Sequence, residues 1–518
     1  MINFFALLAL TAAIGGYWGG YWENWEKTES VFPKIMSQPA SAAQLTTYVR
    51  KVADAGLRVR MTGSGHSTSD VAITNEVLFT PEKLNKPLSL DRNRLKNPAD
   101  PSLMRVMSGI KVADLNTWLD QNGRALFNMG GYDGQTIAGV IMTATHGSGL
   151  AYGPIADSVV SLQMVVDGGQ MVQIEPANGI TNPATFTGTL EENSTIKVRL
   201  IQDDDAFNAA RVSIGSMGVV YSLVLRTDQK FWLREVRQQI SWTELSKPGG
   251  LLDRVLAGQP IYGDGQPSPE HWELQYSPYR NENGDHTFLI TNRYRSYTPL
   301  PEQSALLERG QPGTEFGSSL IALFGLPLST IMDLFPELAK QSLQLALDSQ
   351  VDNNYTNVSY KVFNIGVVNY APAVAIEAAF DATQTKAAIE RSFSLADSLF
   401  AQGAKSTSPI AIRFVKPTSA LIGMQNGRPT MFMEVIALRG SDNAPRLLKN
   451  YQRTMLAEFG ARPHWGLDMN LLTSEAQARA LYPATWDRWK TQYRRFNVTG
   501  TFDGKVTDRL GISVRPRG

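Results

Sequence analysis

Thr62-Gly63-Ser64-Gly65-His66-Ser67 places two glycines, three hydroxyl residues and a histidine directly after an alternating strand pattern, Leu57 to Met61. Glycine leaves backbone N–H groups bare, so such a turn can wrap diphosphate oxygens, although an ordinary tight turn reads the same way. The spacing is not GxGxxG and no clear helix follows, which argues against a Rossmann site. A second run, Asn128 to Gly149, carries Gly130, Gly134, Gln135, Thr136, Gly139, Thr143, Thr145, His146 and Gly147. A third begins at Asp205-Ala206-Phe207 and continues from Arg211 through Gly215 and Gly218 to Val219 and Val220. Three such loops imply that backbone approaches one ligand closely from three sides.

Other chemistries are excluded by composition. The 518 residues include no cysteine, which removes disulfides, thiolate nucleophiles and iron–sulfur clusters. The five histidines are too scattered for an HExxH zinc helix, so no metal site is expected. Forty-nine basic residues against 48 acidic leave a net charge of +1, without the basic surplus that nucleic-acid binding needs. Residues 1–22 are apolar, led by Phe4 to Leu10 but without a preceding Lys or Arg. They read equally as a signal or membrane anchor, giving an exported or membrane-associated protein, or as a first segment packed on the domain, giving a cytoplasmic one.

These loops need a scaffold, and the patterns supply one. Helical periodicity over 42–55 and 112–122 alternates with strand patterns at 57–61, 105–108 and 219–226. Asp167-Gly168-Gly169-Gln170 between 161–166 and 171–174 reads as a hairpin. Beyond residue 235, strand patterns at 272–276, 287–290, 374–380, 410–415 and 431–438 surround helical patterns at 384–400 and 444–459. The expected fold class is therefore α+β, with a second, cap-like unit built on an antiparallel sheet. The apolar stretch from Leu320 towards Leu347, broken by Pro327, Asp333 and Pro336, reads as amphipathic or interfacial helix.

Taken in order, the three loops resemble the vanillyl-alcohol-oxidase-type, or PCMH-type, FAD-linked family, and within it the sugar-1,4-lactone and alditol oxidases. The resemblance starts at Asn24-Trp25, passes through Gln38-Pro39, and returns at Arg462-Pro463-His464-Trp465-Gly466, Tyr482-Pro483 and Gly500-Thr501-Phe502. It implies a two-lobed FAD-binding domain over 23–232, a substrate cap over 233–470 and a C-terminal segment, 471–518, returning to the FAD domain. It also implies that 62–67 holds the FAD diphosphate and that His66 carries the flavin covalently, against the alternative of a hydrogen bond alone. Gly134, Gln135, Thr136, Gly139, Thr143 and Thr145 would line the cofactor, with His146 and Gly147 close by and Val219 and Val220 at the adenine or ring edge. His146 reads more readily as structural than as catalytic.

On the substrate side the pattern departs from the resemblance. The family's Glu-x-Arg strand reads Ala411-Ile412-Arg413, and the lysine after His-Trp-Gly is Leu467. Both changes remove groups that would hold a polyol. Glu434 and Glu377 sit in otherwise apolar strands, where a carboxylate needs a partner; Arg413 is the candidate, as an ordinary ion pair or as part of a base. Arg413, Glu434 and His464 are the expected catalytic set, with Glu273, Gln275 and Tyr276 as further pocket candidates. The expected reaction is oxidation of a CH–OH group of a small lactone or polyol-like alcohol by FAD. Dioxygen is the expected acceptor, favoured by the small residue Gly130. A less polar, sterol-like alcohol and a weakly active, membrane-associated flavin-binding protein remain as alternatives.

Overall fold

The computed structural model describes residues 4–149, 151–262, 267–302, 328–351, 354–365 and 373–515. Helix α1 (Phe4–Ala13) buries Leu7, Leu10 and Thr11 against the first lobe, and strand β1 (Gly16–Trp18) follows it. β1 pairs with β2 (Ile35–Ser37), which continues the four-stranded sheet β1-β2-β4-β3 through β3 (Val59–Met61) and β4 (Val77–Phe79). Helix α2 (Ala42–Asp54) covers that sheet with Leu45, Val49 and Val52, and the Ser41 hydroxyl caps it by accepting from Gln44 N–H. The pattern-based helix and strands of this lobe fall within a few residues of their observed ends.

The second lobe is a six-stranded sheet of β5 (Pro87–Leu88), β6 (Leu103–Met107), β7 (Val159–Val166), β8 (Gln170–Glu175), β9 (Val198–Gln202) and β10 (Val219–Arg226) in the order β9-β8-β7-β10-β6-β5. The hairpin expected at 167–170 joins β7 to β8, with Gly168 and Gly169 at φ of 72° and 73°, which a side chain would strain.

The cap is an eight-stranded antiparallel sheet. Its strands are β11 (Trp232–Ser241), β12 (His271–Arg280), β13 (His286–Ser296), β14 (Tyr355–Val358), β15 (Ala373–Asp381), β16 (Ile410–Val415), β17 (Thr430–Leu438) and β18 (Arg462–Pro463), in the order β14-β11-β13-β12-β16-β17-β15-β18. Side-chain alternation gives it two characters. Leu274, Tyr276, Ile410, Ile412, Met433 and Val435 face the helices Thr385–Ala401 and Ala444–Phe459. The opposite face carries Glu273, Arg413, Glu434 and Glu377, while its Val415, Phe432 and Ala379 join the core of the second lobe. The polar stripe of the cap therefore lies on the side that faces the first two lobes.

The chain's end crosses back. Val59 N–H donates to the Thr501 carbonyl (2.8 Å), and Arg58 forks onto Asp508 at 2.6 and 2.9 Å. Of the apolar stretch from Leu320, residues 320–327 lie outside the described residues; the rest forms the helices Leu328–Leu334 and Pro336–Asp348. Among the described residues no helix is long and apolar enough to cross a membrane.

Candidate active site

A cleft of about 1070 Å³, part of it open to solvent, runs between the two lobes. Residues 61–67 form one wall, Gln135 to Thr145 a second and Ile214 to Val220 a third. The loops that read as three approaches to one ligand thus do converge. The hydroxyl residues Thr62, Ser64, Ser67, Ser108, Thr136, Thr143 and Thr145 border it, and among the described residues no Asp or Glu does. Such a surface suits an anionic dinucleotide, which an acidic wall would repel.

The histidine loop is braced from both sides. Trp25 N–H donates to the Gly65 carbonyl (2.7 Å) and Asn24 Nδ2 to that of Ser67 (2.9 Å). Thr68 N–H donates to Gly466 (2.9 Å) and Ser69 Oγ to Trp465 (2.7 Å). A Cβ on Gly63 would come within 2.6 Å of Thr136 Oγ1, so the first two walls touch where glycine stands. His66 lines the cleft with its ring stacked on Tyr132, centroids 4.5 Å apart, and burial holds its pKa below the ordinary value. A neutral imidazole has a free nitrogen lone pair for a bond to carbon.

Behind His464, at the cap end of the cleft, the polar stripe begins. Register places Gln275, Ala411, Glu434 and Glu377 in one row across four strands and Glu273 opposite Arg413 in the next. Arg413 Nη1 lies 2.9 Å from Glu434 Oε2 and 3.7 Å from Glu377 Oε1, and its Nε 3.9 Å from Glu273 Oε1. Arg293 continues the stripe, bonding Glu273 (2.8 Å) and Glu235 (2.7 Å), with Arg237 on Glu235 (3.0 Å).

The two central carboxylates are driven apart. Burial pushes Glu377 up, but His146 beside it, with His464 and Arg413, outweighs burial and holds it at about 2. Glu434 goes the other way: burial raises it, the negative Glu377 adds to the rise, and Arg413 only partly offsets both. The pair therefore keeps one carboxylate ionised and leaves the other able to take up a proton.

Comparison with known proteins follows this geometry. Residues 33–175 match the family model described as FAD binding domain, and residues 293–510 match that of D-arabinono-1,4-lactone oxidase. Part by part, the two matches make the chain similar to the PCMH-type FAD-linked oxidoreductases. It is 25% identical to an L-gulono-1,4-lactone dehydrogenase of Mycobacterium tuberculosis and 25% identical to the L-gulonolactone oxidase of Bos taurus, each over 94% of this chain and 98% of the relative. A cholesterol oxidase of Brevibacterium sterolicum superposes with a TM-score of 0.71 at 13% identity, covering 95% of this chain and 96% of that one. At that identity the likeness establishes the α+β two-domain fold alone.

In this flavoprotein the histidines have defined roles as donors. His464 Nδ1 accepts from Gly466 N–H (3.0 Å), so the neutral ring carries its proton on Nε2, pointing at Glu377 Oε2 3.9 Å away. Burial first, then His146 and Arg413, lowers His464 to about 4 against the pull of Glu377. It is thus a neutral donor with no free lone pair. His146 Nδ1 faces the Gly147 carbonyl (2.9 Å) and must donate, while Nε2 faces Glu377 Oε2 at 3.2 Å.

His146, Glu377 and His464 bring three metal-type donor atoms within 4.8 Å of one another. A cation there would need the His464 nitrogen that holds a proton and would meet the Arg413 guanidinium already facing Glu377. The donors are committed to sharing protons.

Of the residues expected at the cofactor, Thr62 to Ser67, Gln135, Thr136, Gly139, Thr143, Thr145, Val219 and Val220 line the cleft. Gly134, His146 and Gly147 stand behind its wall: Gly134 receives the Ser64 hydroxyl (2.8 Å), and His146 turns to the cap. Arg413, Glu434 and His464 come together, with Glu273 and Gln275 in the same rows, whereas Tyr276 points to the opposite core and bonds Ser392 (2.7 Å). Sequence reading passed over Arg60, which lines the cleft from β3. Its one signal was a charge alternating with Val59 and Met61 just before the glycine loop.

Proposed function

We propose that this protein oxidises the CH–OH group of a neutral aldono-1,4-lactone, passes the electrons to dioxygen, and holds its FAD covalently on His66. The bound flavin supplies the acceptor for the hydride of the carbinol carbon. Glu434 takes the hydroxyl proton, since it is the carboxylate of the pair that environment keeps protonatable. Arg413 orients Glu434 and brings positive charge to the cap end of the cleft. Glu377 faces both histidines, and His464, whose Nδ1 lone pair is taken up by Gly466 N–H, turns its N–H towards Glu377 and is not the base in this reading. Three acids around one arginine disfavour a carboxylate substrate, so the lactone rather than its open-chain acid is the fitting form.

The observation that carries this reading is cross-strand. Ala411 occupies the place of the family's glutamate, yet Glu434 stands directly opposite it in the register and reaches the same Arg413 at 2.9 Å. The names of the relatives support the lactone class, and Gly130, a small residue beside Thr145 of the cleft wall, is compatible with dioxygen as acceptor. Leu467 in the cleft wall favours a second, less polar class of alcohol.

A panel of L-gulono-1,4-lactone, D-arabinono-1,4-lactone, an alditol and a sterol decides between them, scored by anaerobic bleaching near 450 nm and by peroxide release. Bleaching with peroxide from the lactones is expected. Bleaching without peroxide would make the protein a dehydrogenase, a response to the sterol alone would select the apolar class, and no bleaching by any alcohol would end the enzymatic reading. For location we propose a membrane surface, because Phe5, Leu8, Tyr17, Trp18, Tyr21 and Phe32 are exposed and no charged residue precedes Glu23. Failure to float with phosphatidylcholine vesicles would refute it.

A further inference from the structure

Among the described residues, Arg60, His66 and His464 are the ionisable side chains of the cleft wall. It is 2% exposed. Its Nη1 donates to the Gly215 carbonyl (2.8 Å), Ser216 Oγ (3.1 Å) and the Phe502 carbonyl (3.1 Å), and its Nη2 to the carbonyls of Ile214 (2.5 Å) and Val71. Its Nε is buried and has no protein acceptor. Not one of the five partners is a carboxylate.

The acids whose fields reach Arg60 are engaged elsewhere. Asp70 holds Arg509 through both oxygens (3.0 and 2.8 Å), and Asp503 accepts from Asn497 Nδ2 (2.7 Å) and Arg515 N–H (2.9 Å). Burial lowers Arg60 to about 10 despite them. A buried cation surrounded by neutral oxygens lacks a counter-ion. The turn it grips is also strained: Ile214, β-branched, stands at φ 48° beside Gly215 at 65°. Both residues line the cleft, and both of their carbonyls are bonded to Arg60.

We propose that Arg60 makes this cleft selective for a diphosphate: it withdraws the carbonyl oxygens of Val71, Ile214 and Gly215 from an anionic ligand, fixes the 214–215 turn, and offers the positive charge that the diphosphate balances. The inference rests on FAD occupying the cleft and is independent of the covalent bond. His66→Ala provides apo-protein whose binding is reversible, and calorimetry compares ADP with adenosine on it. Arg60→Gln in that background is expected to weaken ADP by about thirtyfold or more, as loss of a buried charge partner does, and adenosine by less than about threefold. Arg60→Lys keeps the charge and is expected to keep most of the preference for ADP. Equal losses for both ligands would reduce Arg60 to a structural tie, and an unchanged ADP affinity, or a Lys variant as indifferent to phosphate as Gln, would overturn the proposal. A parent protein that takes up neither FAD nor ADP would instead refute the assignment of the cleft.

Discussion

Replacing Arg413 by alanine isolates what its charge does. The guanidinium lies 2.9 Å from Glu434 and 3.7 Å from Glu377, so its loss leaves the buried Glu377 and the part-buried Glu434 side by side without the charge between them. A charge pair near 4 Å is worth roughly 4 kcal/mol at an effective dielectric of about 20 and about 1 kcal/mol in water. At 1.36 kcal/mol per pKa unit, Glu434 should rise by about one to three units, the lower end if water enters the vacated space. Proton abstraction needs ionised Glu434, so its raised pKa moves the acid limb of the rate to higher pH. Stopped-flow bleaching with L-gulono-1,4-lactone, measured from pH 5 to 10, should show a rate at neutral pH lower by about tenfold or more that recovers as pH rises. A rate that stays low at alkaline pH would show that Arg413 acts on charge building at the cofactor rather than through Glu434. An unshifted limb at an unchanged rate would refute the electrostatic reasoning altogether, and Arg413→Lys, which keeps a charge in place, guards against a mere folding defect.

Glu434→Gln should slow bleaching by about a hundredfold or more at every pH, the range for a lost general base; a loss below about threefold would move the proton elsewhere. Wild-type protein precipitated with acid should give a yellow pellet and His66→Ala a colourless one; yellow supernatant from wild type would disprove the covalent bond. Gly63→Ala should lower the flavin content on purification, because its Cβ would press within 2.6 Å of Thr136 Oγ1, and a normal 450-to-280 nm ratio would show that the loop yields freely. Acid should destabilise the fold in two stages. His464 and His271, held at about 4 and about 3 by burial, stay neutral in the fold while the unfolded chain protonates below 6.5, so stability falls from that pH downward. Glu377, held at about 2, contributes stability that is present above 4.5 and lost between 4.5 and 2. Urea midpoints that stay flat from pH 7 to 4 would contradict the histidine stage, and midpoints flat from pH 4 to 2 the Glu377 stage.

The scaffold was legible because its signals are local. The stripe Leu45, Val49, Val52, the glycines of the 167–170 hairpin and the alternation at 410–415 each fix an element without reference to the rest of the chain. The cofactor loops were legible only through their order and the resemblance it carries, since a single glycine-bearing turn reads equally as an ordinary tight turn. What sequence could not show is which walls meet. Gly63 against Thr136, Trp25 against Gly65 and Gly466 against Thr68 are contacts across tens to hundreds of residues, and they decide that Gly134, His146 and Gly147 fall behind the cleft. Arg60 escaped notice because in sequence a lone arginine on a strand reads as an outward charge. Only the fold reveals that it is buried among five neutral oxygens.

The cap illustrates the limit most sharply, because sequence comparison works along strands while chemistry works across them. At position 411 a carboxylate reads as lost; in the sheet its neighbour at 434 fills the same row and serves the same arginine. The stripe interleaves Arg237, Arg293 and Arg413 with Glu235, Glu273, Glu377 and Glu434. On the proposed mechanism a proton taken up by Glu434 removes one negative charge from that stripe, beside a cleft wall that carries no acid among the described residues. Loss of a substrate hydride would bring negative charge to the same cleft, so proton and hydride transfer would favour each other through the field at the cap end of the cleft. What such a site requires is a carboxylate against Arg413, on either strand of the row, and on this reading replacement at Ala411 leaves the chemistry available.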